Sequence, residues 1–408
     1  MGTEISTSAS DSRKLEGGEP AVNIGAVVVG GDYQGLGIVR SLGRRGIPIC
    51  VIDDEWSISQ FSRYATHRAH YPDLRDPAKL IGAVLETGRR LKLDGWVLFP
   101  TREETVAAFS HAREELGLEF RVPTPQWSSV QWAWDKRFTH KLAVELGIPT
   151  PRTCAPLTEE ELDEIDFDPP YVLKPAIKEH FFYKTKAKAW RADNRQQLKE
   201  LFSLGVKHTA PGEILVQELI PGDGQFQYSF CGFFKGGETI GSMVARRRRQ
   251  HPHEFGRAST FVETIDDPEL EKVSERYLKA MNYYGLVEIE YKLDPNDGKF
   301  KLHDVNARTW GYHSLGYAAG VDFPYLLFAD QLGEPTAPVR GKAGVRWVRL
   351  VTDLPSSLLD ILGGRLAMSE YLHTMRSGWT EAVFSLSDPL PGIAELALLP
   401  YLFSKRGF

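Results

Sequence analysis

The chain has 408 residues, of which 42% are hydrophobic and 25% are charged, as in an ordinary folded protein of two or three domains. Its 49 lysines and arginines stand against 54 aspartates and glutamates, and the net charge of -5 argues against a chain-wide nucleic-acid surface. No apolar run reaches the roughly 20 residues that span a bilayer, and three scattered cysteines predict reduced thiols. We therefore expect a cytoplasmic protein with no nucleic-acid partner and no membrane partner.

The N-terminal part of the chain has the pattern of an α/β domain. Residues 1–20 are polar, and we expect a disordered tail there. An apolar run at 26–29, a glycine-rich turn (GGDYQGLG), an amphipathic stretch and a second apolar run ending at Asp53 then predict a βαβ unit. Helix and strand patterns continue to about residue 125, which predicts a doubly wound α/β domain over 21–125.

The middle of the chain has mixed patterns. The helical stretch DKRFTHKLAVELGIPTP, the strand YVLKP, the basic segment KEHFFYKTKAKAW and the strand EILVQELI predict a small α+β module over 126–217. Strands then alternate with loops over 218–335, and 336–408 forms a C-terminal extension. Its apolar AELALLPYLF contains Pro400, and we interpret it as a packed helix end rather than a membrane anchor.

The clearest hairpin is GLVEIEYKLDPNDGKFKLHDVNAR, in which two alternating runs flank a turn rich in Asp, Asn and Gly. Its strands can bring Glu288 and Glu290 to face Asp304 and Asn306. Two carboxylates about 4 Å apart repel by roughly 4 kcal/mol at an effective dielectric near 20, so a cation is needed between them. This oxygen set is suited to Mg2+, although a merely solvated sheet face is the alternative.

Three cationic side chains accompany this hairpin. Arg308 follows it and precedes a cluster of aromatic residues and glycines, and arginine is well suited to bind phosphate or carboxylate. Lys174 interrupts an apolar strand directly before Pro175, where a charge needs a partner. Lys136 lies on an amphipathic helix, where a solvated lysine is the alternative interpretation.

The chain resembles the ATP-grasp superfamily, and within it the carboxylate–amine ligase group (D-aspartate ligase-like), from about Ala26 to Gly333. Four motifs in order carry the resemblance: DKRFTHKLAVELGIPTP, YVLKPA, VQELIPG, and GLVEIEYK paired with LHDVNAR. It implies an α/β ATP-grasp fold with an N-terminal doubly wound α/β (pre-ATP-grasp) domain, a small α+β lid module and a C-terminal α+β domain with an antiparallel sheet.

The resemblance also implies roles for individual residues. The phosphate-contacting lysines are Lys136 and Lys174; the adenine contacts are Gln217, Glu218, Leu219 and Ile220; the ribose candidates are Asp223 and Gln225. The metal ligands are Glu288, Asp304 and Asn306, with Glu290 as an outer ligand, and Arg308 steadies an acyl phosphate. The cofactors implied are ATP and one or two Mg2+ ions, with Mn2+ as a substitute.

The implied reaction activates a substrate carboxylate as an acyl phosphate and joins it to an amine, with ADP and phosphate as the other products. A thiol or hydroxyl acceptor and a homodimer are left open. Two other functions are also left open: an NAD-type oxidoreductase that uses GGDYQGLG with Asp53, and an ATP-binding module without turnover.

Two basic segments depart from, or add to, the family pattern. KEHFFYKTKAKAW has no glycine, unlike the mobile glycine-rich loop of many ATP-grasp enzymes, and its alternating lysines, among them Lys188, are candidates to reach the phosphates. In ARRRRQHPHEFG, strand alternation would place Arg246 and Arg248 on one face and Arg247 and Arg249 on the other. We expect one pair to anchor a substrate carboxylate and take Arg246 and Arg248 as candidates, with a solvated basic edge as the alternative.

Overall fold

The computed structural model describes residues 24–210, 212–222, 224–256, 258–376 and 378–406. The tail predicted at 1–20 lies outside the described residues. Within these residues no helix is both long and apolar enough to cross a membrane, and the three cysteines are free thiols. The secondary structure follows the predicted order of elements over most of the chain.

The first sheet has four parallel strands in the order β3-β2-β1-β4. Its elements are β1 (Ala26–Val29), α1 (Tyr33–Gly43), β2 (Ile49–Asp53), β3 (His67–His70), α2 (Pro77–Leu91), β4 (Val97–Pro100), α3 (Glu103–His111) and α4 (Arg113–Gly117). Gly30, with φ of 92°, makes the turn that a side chain would strain, and Asp32 caps α1 by accepting from the Tyr33 N–H. The predicted βαβ start is therefore confirmed.

Two helices, α5 (Trp127–Trp134) and α6 (Lys136–Glu145), connect this sheet to a second sheet, which we call the small sheet. The elements that follow are β5 (Thr153–Cys154), β6 (Tyr171–Pro175), α7 (Lys178–Thr185), β7 (Trp190–Ala192), α8 (Arg195–Gly205) and β8 (Ile214–Glu218). The strands form an antiparallel sheet in the order β5-β8-β6-β7. A separate apolar core of this unit includes Leu173, Phe181 and Val216.

The third sheet is the largest and is mostly antiparallel, in the order β13-β12-β9-β10-β11-β15-β16, with β14 paired to β10. Its elements are β9 (Gln227–Lys235), β10 (Glu238–His251), β11 (Ala258–Ile265), α9 (Pro268–Ala280), β12 (Gly285–Leu293), β13 (Phe300–Asn306), α10 (Ser314–Ala319), α11 (Phe323–Gln331), β14 (Val339–Arg340), β15 (Arg346–Val348) and β16 (Thr380–Glu381). One face packs on α6 and α9, and the other packs on α1 of the first domain.

The C-terminal extension adds strands β14 to β16 to the large sheet and three helices, α12 (Leu350–Leu362), α13 (Met368–Arg376) and α14 (Leu390–Arg406). Two buried ion pairs attach the extension to the rest of the chain, Arg249–Asp353 and Arg40–Asp388, and a third, Arg349–Glu395, joins the start of α12 to α14. The extension is thus tied to both the large sheet and α1. The domain limits drawn from the sequence stay a prediction.

Candidate active site

The hairpin of β12 and β13 places four polar side chains on one face of the large sheet. Glu288 pairs with Asn306, and Glu290 pairs with Asp304. Side chains of directly opposed residues lie on the same face and within contact distance. The structure therefore brings the four predicted metal ligands together, as the alternation in the sequence predicts.

Hydrogen bonds hold this group in a compact cluster. Asn306 Nδ2 donates to Glu288 at 3.0 Å and to Glu290 at 2.9 Å. Tyr312 donates its hydroxyl to the other oxygen of Glu288 at 2.5 Å. Burial, and then the neighbouring charge of Glu290, raises the pKa of Glu288 to about 7. The cluster holds more negative charge than its buried surroundings readily accept, so it favours a cation.

Two lysines approach the cluster, one from helix α6 and one from strand β6 of the small sheet. Lys136 begins α6, which Asp135 caps, and its Nζ donates to Asp304 at 2.8 Å. Lys174 lies on β6, and its buried Nζ has no hydrogen-bond partner in the described structure. Burial, and then the charge of Lys136, lowers the pKa of Lys174 to about 7. An unpaired ammonium at this depth is costly, which indicates that an anionic ligand completes the site.

A cavity of about 480 Å³ lies between the small sheet and the large sheet, and both lysines line it. Its wall also includes Lys188, Gln217, Glu218, Leu219, Ile220, Glu290 and Asp304. The Glu218 carboxylate accepts hydrogen bonds from Arg152 and Lys301. The backbone of Glu218 is therefore the part that remains available to a ligand in the cavity. The volume and mixed apolar and cationic wall are of the kind that holds a nucleotide.

The two predicted ribose contacts are not found at the cavity among the described residues. Asp223 lies outside the described residues. Gln225 does not line the cavity, and its backbone carbonyl accepts from Arg246 Nε at 2.9 Å. The structure therefore does not bring Gln225 to the cavity.

The first part of the glycine-free segment forms a helix, α7 (Lys178–Thr185), rather than the expected alternation of lysines. It contains neither glycine nor proline, and Phe181 packs into the core of the small domain, which fixes one helical face. Lys184 donates to the carbonyl of His208, whereas Lys188 follows the helix and lines the cavity. The expected alternation is therefore wrong, and of these two lysines Lys188 lies at the cavity.

The first domain contributes a carboxylate that the sequence analysis missed. Glu103 begins α3 and accepts from Arg308 Nη2 at 2.7 Å and from Lys178 Nζ, on α7, at 3.1 Å. Burial alone would raise the pKa of Glu103, yet Lys178 and Arg308 hold it well below its ordinary value. Arg308 Nη2 also donates to Asn306 at 3.2 Å. One carboxylate thus connects helix α7 to the arginine beside the metal cluster.

The residue next to it, Glu104, makes a second contact to α7. The Tyr183 hydroxyl donates to Glu104 at 2.7 Å, and the guanidinium of Arg75 lies 4.2 Å from the centre of the Tyr183 ring. In the sequence, these two contacts could have been found from the pair of acidic residues that follows shortly after the strand ending at Pro100. Carboxyl ends of parallel strands are the usual place for ligand contacts in such sheets.

The arginine run does not follow simple alternation. The pairing of β10 with β11 shifts register between Arg247 and Arg249. The four arginines therefore do not alternate regularly between the two faces of the strand. Arg248 pairs with Glu263 at 2.9 Å, and Arg246 binds a backbone carbonyl and lies over Tyr228. Arg247 is the member that faces the cluster.

Arg247 is held on the face that carries the carboxylates. Its Nη2 is 3.6 Å from Glu290, its Nη1 donates to Gln250 at 3.1 Å, and it also donates to Gln227. Its Nε is buried without a hydrogen-bond partner in the described structure. A planar cation with a free donor beside the metal cluster is suited to a carboxylate.

The oxygen cluster fits a magnesium ion. Among the described residues, no three or more His, Cys, Asp or Glu side chains are already arranged around one metal position. Mg2+ usually takes only one or two carboxylates and completes its shell with water and phosphate oxygens. Glu290 and Asp304 line the cavity that would hold those phosphates, and the raised pKa of Glu288 reflects a charge that a cation would offset.

Part of the chain matches a known protein family. Residues 213–352 match the family described as ATP-grasp in the biosynthetic pathway with Ter operon. A D-aspartate ligase of Enterococcus faecium (strain Aus0004) is 21% identical over 307 residues, which cover 69% of this chain and 70% of that protein. The matched family segment contains both strands of the hairpin and the arginine run.

Solved structures show the same fold. The L-amino acid ligase from Bacillus licheniformis superposes with a TM-score of 0.60 at 16% identity, over 77% of this chain and 75% of that one. The biotin carboxylase domain of 2-oxoglutarate carboxylase from Hydrogenobacter thermophilus, solved with MgADP and bicarbonate, superposes with a TM-score of 0.62 at 15% identity, over 79% and 73%. Residues 213–352 therefore resemble an ATP-grasp domain, and the chain shares its fold with these solved structures.

Proposed function

We propose that the protein activates a small carboxylic acid as an acyl phosphate and joins it to an amine, which is an amino acid, to form an amide. The observation that carries this proposal is the cavity between the two sheets, where Lys174 and Lys136 lie at the same end as Asp304 and Glu290. Cations for phosphate and carboxylates for a metal ion are the two requirements of phosphoryl transfer. The cavity provides both groups, and the proposed reaction needs no nucleophile from the protein.

The first step is attack by a substrate carboxylate oxygen on the γ-phosphorus of ATP, which breaks the bond to the β-phosphate oxygen and releases ADP. Lys136 and Lys174 orient the phosphates, and backbone from Gln217 to Ile220 lines the adenine end of the cavity. Bound Mg2+, held by Glu290, Asp304, Glu288 and Asn306, would supply charge neutralisation at the phosphates. Positioning and charge are the main contributions that a protein makes to such a transfer.

In the second step the amine nitrogen attacks the acyl carbon, inorganic phosphate leaves with the bonding electron pair, and the nitrogen loses one proton. Arg308 lies beside Asn306 and is held in place by Glu103, so its free donors can bind the acyl phosphate. Arg247 lies on the other side of Glu290 and is the better placed anchor for a second substrate carboxylate. Arg248 is already paired with Glu263, which argues against its role as an anchor.

The alternative of an NAD-type oxidoreductase has no support from the glycine-rich loop. Asp53 is buried, and its carboxylate accepts from the Gly31 N–H at 2.6 Å and from Arg102 at 2.7 Å. A Cβ at Gly31 would meet Ser57 and Ser59, so side chains of the protein already pack against this loop. A carboxylate used in this way is not free to bind a ribose.

A phosphate-release screen tests the proposal. The protein is incubated with ATP, Mg2+ and pooled small carboxylic acids, with and without pooled amino acids, and an Asp304→Asn variant serves as the control. Phosphate release that needs both pools, and that the variant lacks, is expected. ATP binding without acid-dependent phosphate release from any pool would contradict the proposal and favour a binding module.

A further inference from the structure

Helix α14 exposes its apolar side and buries an acidic residue. Leu390, Ile393 and Leu396 are 54%, 62% and 52% exposed, at a spacing that puts them on one side of the helix. Glu395 is 0% exposed and faces the protein. Surface helices of soluble proteins usually bury their apolar side and expose their charged side. The exposed apolar side of α14 is therefore a candidate binding surface.

The inverted arrangement has a structural cause. Glu395 Oε1 accepts from Arg349 Nη2 at 2.7 Å, and this buried ion pair fixes which side of α14 faces inward. The loop before α14 continues the exposed apolar side, because Leu386 is fully exposed and Phe384 packs over Gly392 while remaining partly exposed. We call these five side chains the α14 apolar surface: Phe384, Leu386, Leu390, Ile393 and Leu396.

Two exposed arginines lie beside this surface. Over residues 382–400 the two acidic side chains, Asp388 and Glu395, are both buried in ion pairs with arginine. Arg63 is exposed and donates to the carbonyl of Ser387, and the exposed Arg44 lines a cavity of about 180 Å³ together with Phe384. Glu381 and Asp322 line the same cavity, but Glu381 accepts from the Val383 N–H and Asp322 pairs with Arg45. Two exposed arginines, Arg44 and Arg63, therefore border the apolar surface.

We propose that the α14 apolar surface docks on an anionic lipid membrane. Exposed leucines and a phenylalanine beside arginines are a composition that binds the lipid interface, where apolar side chains enter the acyl region and basic ones meet the headgroups. A symmetric contact between two copies would instead bring two sets of the same arginines together, which costs energy. Docking of this kind replaces the expectation, drawn from the sequence, of no membrane partner, and it does not depend on the proposed reaction.

The experiment is flotation of the full-length protein with vesicles of phosphatidylcholine alone and of phosphatidylcholine mixed with phosphatidylglycerol. We expect binding to the mixed vesicles that weakens as salt is added. Combined Leu386→Ser, Leu390→Ser and Ile393→Ser should lower the partition coefficient at least tenfold, because these side chains lose their apolar contact with lipid. Combined Arg44→Gln and Arg63→Gln should lower it about tenfold on mixed vesicles.

Matched controls use exposed residues elsewhere. Combined Leu118→Ser, Leu157→Ser and Leu204→Ser removes three exposed leucines from other parts of the surface, and Arg90→Gln with Arg276→Gln removes two exposed arginines. Both should bind vesicles as the unaltered protein does. Absence of binding to mixed vesicles, or equal binding by all variants, would overturn the proposal. Light scattering that shows a dimer converted to a monomer by the leucine variant would also overturn it, since the occupant would then be a second copy.

Discussion

Glu103 is the sharpest place to perturb the site, because one carboxylate holds two cations from different domains. Its oxygens accept from Arg308 at 2.7 Å and from Lys178 at 3.1 Å, and both contacts are charge-assisted. Hydrogen bonds to charged groups contribute about 1.5–3 kcal/mol each, and Glu103→Gln removes the charge while it keeps the shape. We expect kcat/KM to fall about 10- to 100-fold, which corresponds to roughly one such bond.

The assay separates loss of positioning from loss of nucleotide binding. Glu103 does not line the 480 Å³ cavity, so the dissociation constant for ATP, measured by calorimetry, should change less than about threefold while kcat falls. Glu114→Gln, at an exposed position on α4, is the matched control and should leave both quantities unchanged. A Glu103→Gln enzyme with kcat within twofold of the unaltered enzyme, and with an unchanged unfolding temperature, would refute the positioning role.

Three further outcomes follow from the geometry. Asp304→Asn and Glu288→Gln should each abolish turnover, measured as phosphate release, because each removes negative charge from the proposed metal site at nearly constant volume. The pKa of Lys174 is about 7 in the free protein, and bound phosphates must raise it, so ATP affinity should be greatest below pH 7 and fall by up to about tenfold per unit above it. Arg247→Gln should raise the KM for the acid at least tenfold, whereas Arg248→Gln should change it little, because Arg248 is paired with Glu263.

Each of these three predictions has a result that would contradict it. Near-normal activity of either carboxylate variant at saturating Mg2+ would exclude that residue as a metal ligand. Lys174→Met should lose the extra pH dependence of ATP affinity that the unaltered enzyme shows, and an unchanged slope would assign the titration to another group. Equal effects of the two arginine variants on the KM for the acid, with the KM for ATP constant, would mean that the acid is held elsewhere.

The hairpin was predictable because its information is local. Glu288 to Asn306 span 19 residues, and strand alternation with a turn of Asp, Asn and Gly fixes which side chains share a face. The first α/β domain was predictable for the same reason, since the apolar strand, glycine turn and amphipathic helix follow one another directly. Lys174 was identified by a charge in an otherwise apolar strand.

The features that the sequence did not reveal depend on tertiary contacts. Glu103 meets Arg308 from 205 residues away, so no local pattern reports their bond. Alternation assigned Arg246 and Arg248 to the site, but the register shifts next to Arg247 change which arginine faces Glu290. The periodicity of α14 indicates a helix, yet the buried pair of Glu395 with Arg349 decides which side packs.

The most direct measurement is identification of the nucleotide products by anion-exchange chromatography, once the screen has supplied an acid and an amine. The two lysines, the carboxylate cluster and Arg308 are arranged for transfer of the γ-phosphate to a carboxylate, so we expect ADP and inorganic phosphate in equal amounts, with one amide formed per ADP. AMP and pyrophosphate would show that the acid is adenylated and would contradict the acyl phosphate mechanism.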